Sequence, residues 1–366
     1  TRRALTVDTV AAQSKIYDGT TSAKASEFRA TLGNVVAGEE SSVTATATGA
    51  AYNDKNVAGA SKVNYTGVAL IGAGAGNYTI AETAQGAGTI TKRALTLGEV
   101  AAQTKTYDGT TAADASKFHA ALNNVVAGDN VTAAATTATF NDKNVAAANR
   151  IDYTGVALRG VEAGNYTLAA TTAQGEGSIT RRALTVDTVA AQSKTYDGTT
   201  AADTSKFQAT LGNFVAGEEN SVTATAAGAA YNDKNVAGAN KVSYTGVTLT
   251  GTGAANYAIS NTTEGQGRIT KRTLTADAVA AQTKIYDGTT AADAAAFRAT
   301  LGNLVAGEEN SVAATAAGAA YNDKNVARAN AVSYTGVALT GTGAGNYAVA
   351  DTAQGAGTIT KRALTL

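Results

Sequence analysis

The sequence predicts a mainly-β tandem repeat, with four modules of about 90 residues each arranged as an elongated rod. A Lys-x-Tyr-Asp-Gly-Thr-Thr segment begins at Lys15, Lys105, Lys194 and Lys284, and its tyrosines are spaced by 90, 89 and 90 residues. Short runs alternate between apolar and polar residues, which is typical of half-buried strands. The Ile-Thr-Lys-Arg-Ala-Leu-Thr junction at Ile90 holds no Gly, Ser or Pro. Each module should therefore run into the next without a flexible linker.

The recurrence of these motifs sets the predicted boundaries. The modules span residues 1–92, 93–181, 182–271 and 272–362, and residues 363–366 open a fifth copy. The chain starts without Met and stops inside the pattern, so we expect a piece cut from a longer array. The first partners expected for each module are its neighbours in the same chain, since repeats of this kind stack in sequence.

Each module opens with strand-forming sequence. In Ala4–Val7, Leu5 and Val7 share one face, as in a half-buried strand. A bend is expected at Ala11–Gln13. The Lys15–Thr21 segment then combines a short strand with an Asp-Gly turn, because Gly tolerates positive φ and Asp bonds to its own backbone.

One short helix is expected in each module. In the second copy, Thr111 and Asp114 form a Thr-x-x-Asp capping box. Phe118 and Leu122 lie four residues apart, on one face of a helix. These features predict a helix of about ten residues, too short to be stable without packing.

The rest of the module reads as strands and turns. In the first copy, strands are expected at Ser42–Thr48, Val63–Leu70, Asn77–Ile80 and Gly88–Thr91. Tyr65 and Val68 are three residues apart, so the inward face changes parity and a bulge is expected at Thr66-Gly67. The resulting order, with about five strands and one helix, is β-grasp-like, and a small β-sandwich is the alternative.

Aromatic residues mark the predicted core. The first copy carries them at Tyr17, Phe28, Tyr52, Tyr65 and Tyr78, and the other copies match position by position. Phe140 replaces the tyrosine equivalent to Tyr52 in the second copy. The hydroxyl at that position is therefore not essential.

Composition excludes several classes of function. The 366 residues hold 29 basic and 29 acidic side chains, a formal net charge of +0, which argues against nucleic-acid and membrane-surface partners. No run of 18 apolar residues predicts a transmembrane helix. The sequence contains no Cys, Met, Trp or Pro, and a chain without cysteine suits export in an unfolded state.

We expect no catalytic, cofactor or metal site, and therefore no enzyme. The one histidine, His119, occurs in a single copy, and the absence of cysteine argues against thiolate chemistry. Asp18 is interpreted as a turn former. Asn53–Asn56 is interpreted as a polar turn, because it lacks the acidic spacing of a calcium loop. The Gly-rich loop Gly72–Gly76 lacks the strand-to-helix context of a phosphate loop.

Two further hypotheses concern basic residues. Lys15 and its equivalents permit a Lys–Asn isopeptide cross-link, although the sequence does not bring the two groups together. Basic pairs occur at Lys92-Arg93, Arg181-Arg182 and Lys271-Arg272. They could follow an anionic polysaccharide, but neighbouring strand residues face opposite sides. Solvated charges that discourage pairing at a strand edge are the preferred interpretation.

The ordered motifs resemble a known family. They are Tyr-Asp-Gly-Thr-Thr, Val-Ala-Gly-acidic, Asn-Asp-Lys-Asn-Val, Ala-Gly-Asn-Tyr-Thr and Ile-Thr-x-x-Ala-Leu-Thr, beginning at Tyr17, Val36, Asn53, Ala75 and Ile90. In this order they resemble the YDG-type repeat of large exported bacterial adhesins, such as filamentous-haemagglutinin-like and two-partner-secretion exoproteins. The resemblance implies an extracellular location, either secreted or on the surface of a Gram-negative bacterium.

Three functions remain open at this point. The first is a structural stalk or fibre segment of an adhesin that projects a binding region made elsewhere. The second is a self-assembling subunit of an extracellular filament or matrix, in which copies join laterally or end to end. The third is a carbohydrate-binding repeat that contacts a polysaccharide or host surface.

Overall fold

A computed structural model describes residues 1–365; Leu366, the last residue of the predicted fifth copy, lies outside the described residues. The chain forms two compact units, Thr1–Arg181 and Arg182–Leu366. Each unit contains two of the four repeats.

The first unit is built from short strands. Those of its first repeat are β1 Arg3–Ala4, β2 Thr6–Val10, β3 Gln13–Ile16, β4 Ala30–Gly33, β5 Thr44–Thr46, β6 Gly49–Tyr52, β7 Lys62–Thr66, β8 Ala69–Ile71, β9 Tyr78–Thr79 and β10 Thr83–Thr91. Those of its second repeat are β11 Arg93–Val100, β12 Gln103–Thr106, β13 Ala120–Asn123, β14 Thr132–Ala134, β15 Thr137–Phe140, β16 Arg150–Thr154, β17 Ala157–Arg159, β18 Tyr166–Leu168 and β19 Thr172–Thr180. Single 3-10 turns span Ala25–Glu27, Ala75–Asn77, Ala115–Lys117 and Ala163–Asn165.

The second unit repeats the same order. Its third repeat holds β20 Arg182–Ala183, β21 Thr185–Val189, β22 Gln192–Thr195, β23 Ala209–Gly212, β24 Thr223–Thr225, β25 Gly228–Tyr231, β26 Lys241–Thr245, β27 Thr248–Thr250, β28 Tyr257–Ala258 and β29 Thr262–Thr270. The fourth repeat holds β30 Arg272–Thr273, β31 Thr275–Val279, β32 Gln282–Ile285, β33 Ala299–Gly302, β34 Ala313–Thr315, β35 Gly318–Tyr321, β36 Ala331–Thr335, β37 Ala338–Thr340, β38 Tyr347–Ala348 and β39 Thr352–Thr360. Single 3-10 turns span Thr204–Lys206, Ala254–Asn256, Ala294–Ala296 and Ala344–Asn346.

The strands of each repeat form one four-stranded sheet and smaller sheets of two strands, or of three where β11 pairs with both β13 and β18. In the first repeat the sheet order is β3-β10-β7-β6, in which β3 runs parallel to β10 and the other neighbours are antiparallel. Antiparallel pairs form between β2 and β4 and between β5 and β8, and β1 pairs in parallel with β9. The other three repeats have equivalent pairings. The predicted mainly-β tandem repeat is confirmed.

The aromatic residues form the core, as the sequence predicts. All five aromatic side chains of the first repeat are buried. Tyr52 and Tyr65 of the four-stranded sheet pack in one cluster with Phe28. Half-buried Val10 and Ala45, from the two antiparallel pairs, close the same cluster. The core therefore lies between the sheet and the smaller strand pairs.

The predicted helix is wrong. No α-helix occurs in residues 1–365, and the segment after Thr111 contains a single 3-10 turn. Asp114 caps that turn by accepting a hydrogen bond from the Ser116 backbone N–H, instead of closing a capping box with Thr111. The backbone is then extended at Phe118, and β13 pairs with β11.

The spacing that suggested the helix is also compatible with a strand. Phe118 and Ala120 are buried and Leu122 is half-buried, whereas the intervening residues are exposed. Residues four apart share a face at a period of 3.6 and also at a period of 2. Packing in the core selects the strand over the helix, because a short helix is only marginally stable in isolation.

The parity change near Gly67 has a different cause from the predicted bulge. Strand β7 ends at Thr66, and Gly67 adopts a φ of +59°. Strand β8 then pairs with β5 rather than continuing beside β6. The interruption marks the point where the chain leaves the four-stranded sheet.

None of the helical segments within residues 1–365 has the length and apolarity that a membrane crossing requires.

Candidate functional site: the joint between repeats

Within each unit, the two repeats are connected almost directly. Strand β10 ends at Thr91 and β11 begins at Arg93, so Lys92 alone separates them. Strand β10 pairs inside the first repeat, whereas β11 pairs with β13 and β18 of the second. The last strand of one repeat thus continues into the first strand of the next, as expected.

Arg93, the arginine of the first basic pair, is held in place by Asn124 of its own repeat. The Nε of Arg93 donates to the Asn124 carbonyl at 2.8 Å, and its Nη2 donates to the Asn124 side chain. Asn124 has a φ of +74° and donates back to the Ala94 carbonyl at 2.9 Å. Lys92 is exposed. Arg93 is therefore a structural residue rather than a solvated edge charge. The interpretation of the basic pairs as solvated edge charges is thus wrong for Arg93.

The Tyr-Asp-Gly turn is stabilised by the lysine two residues before the tyrosine. The Nζ of Lys15 lies 2.7 Å from Asp18 Oδ1, donates to the Thr20 carbonyl at 2.8 Å, and lies 5.3 Å from the centroid of the Tyr52 ring. Burial raises the pKa of Asp18, but hydrogen bonds from Lys15 and Thr20 outweigh it and keep that pKa below its ordinary value. These contacts hold the turn that presents Tyr17 to the next repeat.

Tyr17 lies in an aromatic and acidic cluster shared by both repeats. Its hydroxyl donates to Asp129 Oδ2 at 2.9 Å, and the Tyr166 hydroxyl donates to the same oxygen at 2.6 Å. The two rings meet edge to face, with centroids 5.3 Å apart. The Val126 backbone N–H donates to the Tyr166 hydroxyl at 3.0 Å. One carboxylate therefore holds a tyrosine from each repeat.

The environment of these tyrosines disfavours their ionisation. Burial and the hydrogen bond to Asp129 raise the pKa of Tyr17 well above its ordinary value, and the same two causes raise the pKa of Tyr166. Both hydroxyls therefore remain donors at neutral pH, as a shared carboxylate acceptor requires.

A second polar contact crosses the same boundary. The Asn165 side chain accepts from the Val57 backbone N–H at 2.9 Å and donates to Asn56 Oδ1 at 2.9 Å. Asn165 is buried. Since a buried amide without partners is costly, these hydrogen bonds require the two repeats to stay in one relative position.

Apolar packing completes the contact. A Cβ atom built on Gly19 would lie 2.9 Å from Val126 Cγ1, and Gly19 adopts a φ of +78°. Tyr166 and half-buried Val126 belong to the same apolar cluster as Tyr17. The core of the first repeat is therefore closed by residues of the second.

The trailing face of a repeat consists of the residues equivalent to Tyr17, Gly19, Asn56 and Val57. The leading face of the next repeat consists of the residues equivalent to Val126, Asp129, Asn165 and Tyr166. Together the two faces form the joint.

The second unit contains the same joint. The hydroxyls of Tyr196 and Tyr347 donate to the two carboxylate oxygens of Glu308 at 2.6 and 2.7 Å, and their rings are 5.3 Å apart. Asn346 bonds to the Val236 N–H and to Asn235, both at 2.9 Å. Aspartate and glutamate thus serve equally at the acidic position.

The other candidate residues have local roles or none. His119 is exposed. Asp54 accepts from the Asn56 backbone N–H at 2.7 Å, which makes Asn53–Asn56 an Asp-stabilised turn. Lys15 contacts Asp18 rather than an asparagine. Residues 1–365 contain no group of three or more His, Cys, Asp or Glu side chains placed to hold a metal ion.

Sequence reasoning recognised the motifs of the joint but not their partners. Asp129 follows Val-Ala-Gly, and Asn165 precedes a tyrosine, as in the other copies. Tyr17 and Asp129 are 112 residues apart, more than one repeat length. The available signal was the recurrence of an acid after Val-Ala-Gly and of an amide before a tyrosine in every copy.

Comparison with known proteins identifies the repeat. A family model described as YDG domain matches residues 1–85, 91–173, 180–264 and 270–354. None of the curated proteins matches the chain.

Several solved structures are similar at low identity. Drosophila N-cadherin EC1-4 is 10% identical, with 99% of this chain and 100% of that chain covered and a TM-score of 0.24. Protocadherin gamma B2 extracellular cadherin domains 3-6 are 8% identical, with 100% and 99% covered and a TM-score of 0.25. The titin I-band fragment I67-I69 is 5% identical, with 74% and 99% covered and a TM-score of 0.31.

Proposed function

The chain belongs to the YDG domain family as four tandem copies, and from this premise we propose that it is a structural stalk or fibre segment of an exported bacterial adhesin. Its repeats space or project a binding region located elsewhere in the protein. In this proposal the chain acts through its length and through the stiffness of its joints, not through chemistry on a ligand.

The joint is the observation that carries this proposal. Tyr17 and Tyr166 share one carboxylate across the boundary, and the same arrangement recurs at Glu308. Flexible arrays place mobile polar linkers between domains. Here one residue connects the strands, and buried hydrogen bonds fix the relative position of the two repeats. Joints held in this way favour a mechanical role for the chain.

The extracellular location is part of the proposal. The absence of cysteine over 366 residues suits a chain that crosses a pore unfolded. The order of the YDG motifs resembles that of exported adhesins from Gram-negative bacteria, and we propose that setting for the chain.

We also propose that the chain is not an enzyme and that carbohydrate binding is not its main role. A carbohydrate site needs an exposed aromatic platform, and the aromatic positions are occupied by core residues. Among the described residues, Tyr286 is the aromatic side chain that stands out as exposed, at 37%.

Spin-label distance measurements on the full chain test the proposal. The chain has no native cysteine, so Lys62→Cys and Arg150→Cys place labels at equivalent exposed strand positions of adjacent repeats. A stiff joint gives one narrow distance distribution. The combination of Tyr17→Ala and Asp129→Ala should broaden it, because both the ring contact and the shared carboxylate are lost.

A matched control keeps the result interpretable. Tyr286→Ala removes the equivalent tyrosine of the last repeat and should leave the Lys62–Arg150 distribution unchanged. A broad distribution in the otherwise unaltered chain would contradict the stiff-stalk proposal.

A further inference from the structure

Each repeat begins with an entry segment, β1–β3 in the first repeat, and ends with an exit strand, β10. The end of the entry segment lies beside the exit strand and runs in the same direction: β3 pairs in parallel with β10, with Ile16 opposite Thr91. The other repeats pair the equivalent strands in the same way, β12 with β19, β22 with β29 and β32 with β39. The part of the chain that enters a repeat is therefore bonded directly to the strand that leaves it.

This parallel pairing determines how a pulling force acts on a repeat. When the chain is pulled lengthwise, the entry segment is drawn backward and the exit strand is drawn forward. Two parallel strands drawn in opposite directions slide past one another, so their evenly spaced hydrogen bonds are loaded together, in shear. If the same two strands were antiparallel, the force would peel them apart one hydrogen bond at a time.

A side chain extends this ladder at its end in every repeat. In the fourth repeat the Tyr286 N–H donates to the Thr360 carbonyl at 2.9 Å, and Thr360 Oγ1 donates to the Lys284 carbonyl at 3.3 Å. The same side-chain hydrogen bond, at 3.2 Å, joins Thr91 to Lys15, Thr180 to Lys105 and Thr270 to Lys194. The clamp of a repeat consists of the parallel ladder together with this threonine hydrogen bond.

The entry segment is also anchored on both sides of the clamp. Gln282 Nε2, at the start of β32, donates to the Tyr334 hydroxyl of β36 at 2.7 Å. Lys284 Nζ, near the end of β32, lies 3.0 Å from Asp287 Oδ1. Sliding of β32 along β39 therefore breaks side-chain contacts as well as the backbone ladder.

A second contact presses the entry segment onto the exit strand. A Cβ atom built on Gly355 of β39 would lie 2.8 Å from Val279 Cγ1 of β31, a distance that permits only glycine. The other three repeats have the same close approach, at 2.8 or 2.9 Å, between Gly86 and Val10, Gly175 and Val100, and Gly265 and Val189. The two parts thus meet through apolar packing in addition to hydrogen bonds.

We propose that each repeat bears tension, and that its clamp is the element that resists unfolding when the chain is pulled lengthwise. The clamp lies inside a repeat and holds the entry segment to the exit strand. This inference goes beyond the proposed spacing role, which rests on the joints between repeats, because a stiff spacer need not resist tension.

Pulling one repeat in two directions tests the clamp. The chain has no native cysteine, so pairs of introduced thiols can carry DNA handles for optical tweezers on the full chain. Lys271→Cys with Lys361→Cys loads the fourth repeat lengthwise, because these exposed residues flank it. Ile285→Cys with Lys361→Cys loads it across the clamp, because Ile285 lies opposite Thr360 and is 64% exposed.

The two directions should give different rates of opening at the same constant force. Lengthwise loading should open the repeat more than about tenfold more slowly, because several hydrogen bonds must break together rather than one at a time. Equal rates in the two directions would overturn the proposal.

Two matched variants identify the element that resists the force. Thr360 and Thr315 are both exposed, and Thr315 Oγ1 donates to the Ala338 carbonyl at 3.4 Å. Thr315 lies in β34, which pairs with β37 and belongs to neither the entry segment nor the exit strand. Forced unfolding reports the barrier to unfolding rather than equilibrium stability. Under lengthwise load, Thr360→Val should therefore unfold about fivefold faster, the effect of one ordinary hydrogen bond, and Thr315→Val should leave the rate unchanged.

Chemical denaturation without load provides the check on folding, since each variant loses one similar hydrogen bond and the two should be destabilised alike. If Thr315→Val accelerated lengthwise unfolding as much as Thr360→Val, resistance would be spread over the whole repeat and the clamp would be rejected.

The outcomes for the clamp and for the stalk are distinguishable. A broad spin-label distribution between Lys62→Cys and Arg150→Cys, found together with slow lengthwise unfolding, would reject the stiff joint and keep the clamp. A narrow distribution, found together with equal opening rates in the two directions, would reject the clamp and keep the stiff joint.

Discussion

The hydroxyl of Tyr17 in the first repeat donates to the carboxylate of Asp129 in the second, 112 residues further along the chain. The tyrosine that gives the repeat its most recognisable motif therefore completes the contact between repeats as well as the core. The equivalent Tyr196 makes the same contact within the second unit, so one motif encodes both the fold of a repeat and its contact with the following repeat of that unit.

Removing the joint hydroxyl should weaken the first unit. Tyr17→Phe is expected to cost about 1.5–3 kcal/mol, the range for a hydrogen bond to a charged group. Hydrogen exchange of the amides around Val126, followed by mass spectrometry, measures the change locally. Tyr286→Phe is the control, because that side chain is 37% exposed and reaches no carboxylate in the described structure. Equal effects of the two substitutions would contradict the role assigned to Asp129.

The sequence predicted the repeat and its aromatic core but not the joint, and the reasons are physical. Periodicity locates residues that face inward, and Tyr17 is buried as expected. It does not say which repeat supplies the neighbouring atoms. The partners of Tyr17 lie in another copy, and one sequence gives no sign of which copies touch. The pairing of Asn56 with Asn165 escaped prediction for the same reason.

The helix error has a related origin. The alanine-rich segment around Phe118 has high helix propensity, which is a weak prior that tertiary context often overrides. The Gln103 side chain donates to the Asp114 carbonyl at 3.0 Å and to the Tyr153 hydroxyl at 2.7 Å. This buried glutamine fixes the backbone before the 3-10 turn, and strand pairing fixes it afterwards. Neither constraint is visible in local sequence.

Removing the hydroxyl of Tyr321 should not destabilise the fourth repeat. The buried hydroxyl of Tyr321 has no hydrogen-bond partner among the described residues, and the equivalent in the second repeat is Phe140. Tyr321→Phe removes an unsatisfied polar atom and keeps the ring beside the Lys284 ammonium, 5.2 Å from its centroid. We expect a change between zero and about 1 kcal/mol of added stability.

The contrasting variant for this test is Tyr334→Phe. The Tyr334 hydroxyl accepts from Gln282 Nε2 at 2.7 Å, so its loss should destabilise the fourth repeat by about 0.5–1.5 kcal/mol. Chemical denaturation followed by hydrogen exchange ranks the two variants. If both variants lowered the stability of the fourth repeat, or both raised it, the expected difference between the two hydroxyls would be contradicted.

The joints should weaken at alkaline pH. Burial and the hydrogen bond to Glu308 raise the pKa of Tyr196 and of Tyr347 above the ordinary value of about 10. A pKa raised by folding contributes stability that is complete below pH about 10 and is lost as pH rises through the folded pKa. Ultraviolet titration of tyrosinate, with hydrogen exchange at Val305, should show ionisation and joint opening together.

The acidic partner provides the control for that titration. Glu308→Gln removes the charge that disfavours tyrosinate but keeps the burial. Tyr196 should then ionise at lower pH than in the unaltered chain. An unchanged titration would mean that burial alone sets the pKa of these tyrosines.

The Tyr-Asp-Gly turn should loosen at acidic pH. Hydrogen bonds from the Thr289 backbone N–H and from Lys284 lower the pKa of Asp287 to about 2. A pKa lowered by folding contributes stability that is present above the unfolded value of about 3.9 and is lost as pH falls through the folded value. The turn should therefore open between pH about 4 and about 2. Asp287→Asn should remove this pH dependence, whereas Asp351→Asn in an exposed loop should retain it; amide exchange at Thr289 reports the opening.

Alanine substitutions at two equivalent glycines distinguish the cost of backbone strain from the cost of a clash across the joint. Gly19 and Gly288 have φ values of +78° and +85°, so an alanine at either position should cost about 1 kcal/mol or more through backbone strain. Only at Gly19 would the new Cβ press against Val126, at 2.9 Å; at Gly288 it would meet nothing within 4 Å. Gly19→Ala should therefore be more destabilising by a further amount on the order of 1 kcal/mol, as for overpacking in a core.

Combining Gly19→Ala with Val126→Ala should remove most of that excess, because the clash disappears while the strain remains. Equal costs for the two single variants, measured by denaturation with hydrogen exchange at the joint, would mean that Gly19 is required by the turn alone and not by contact with the next repeat.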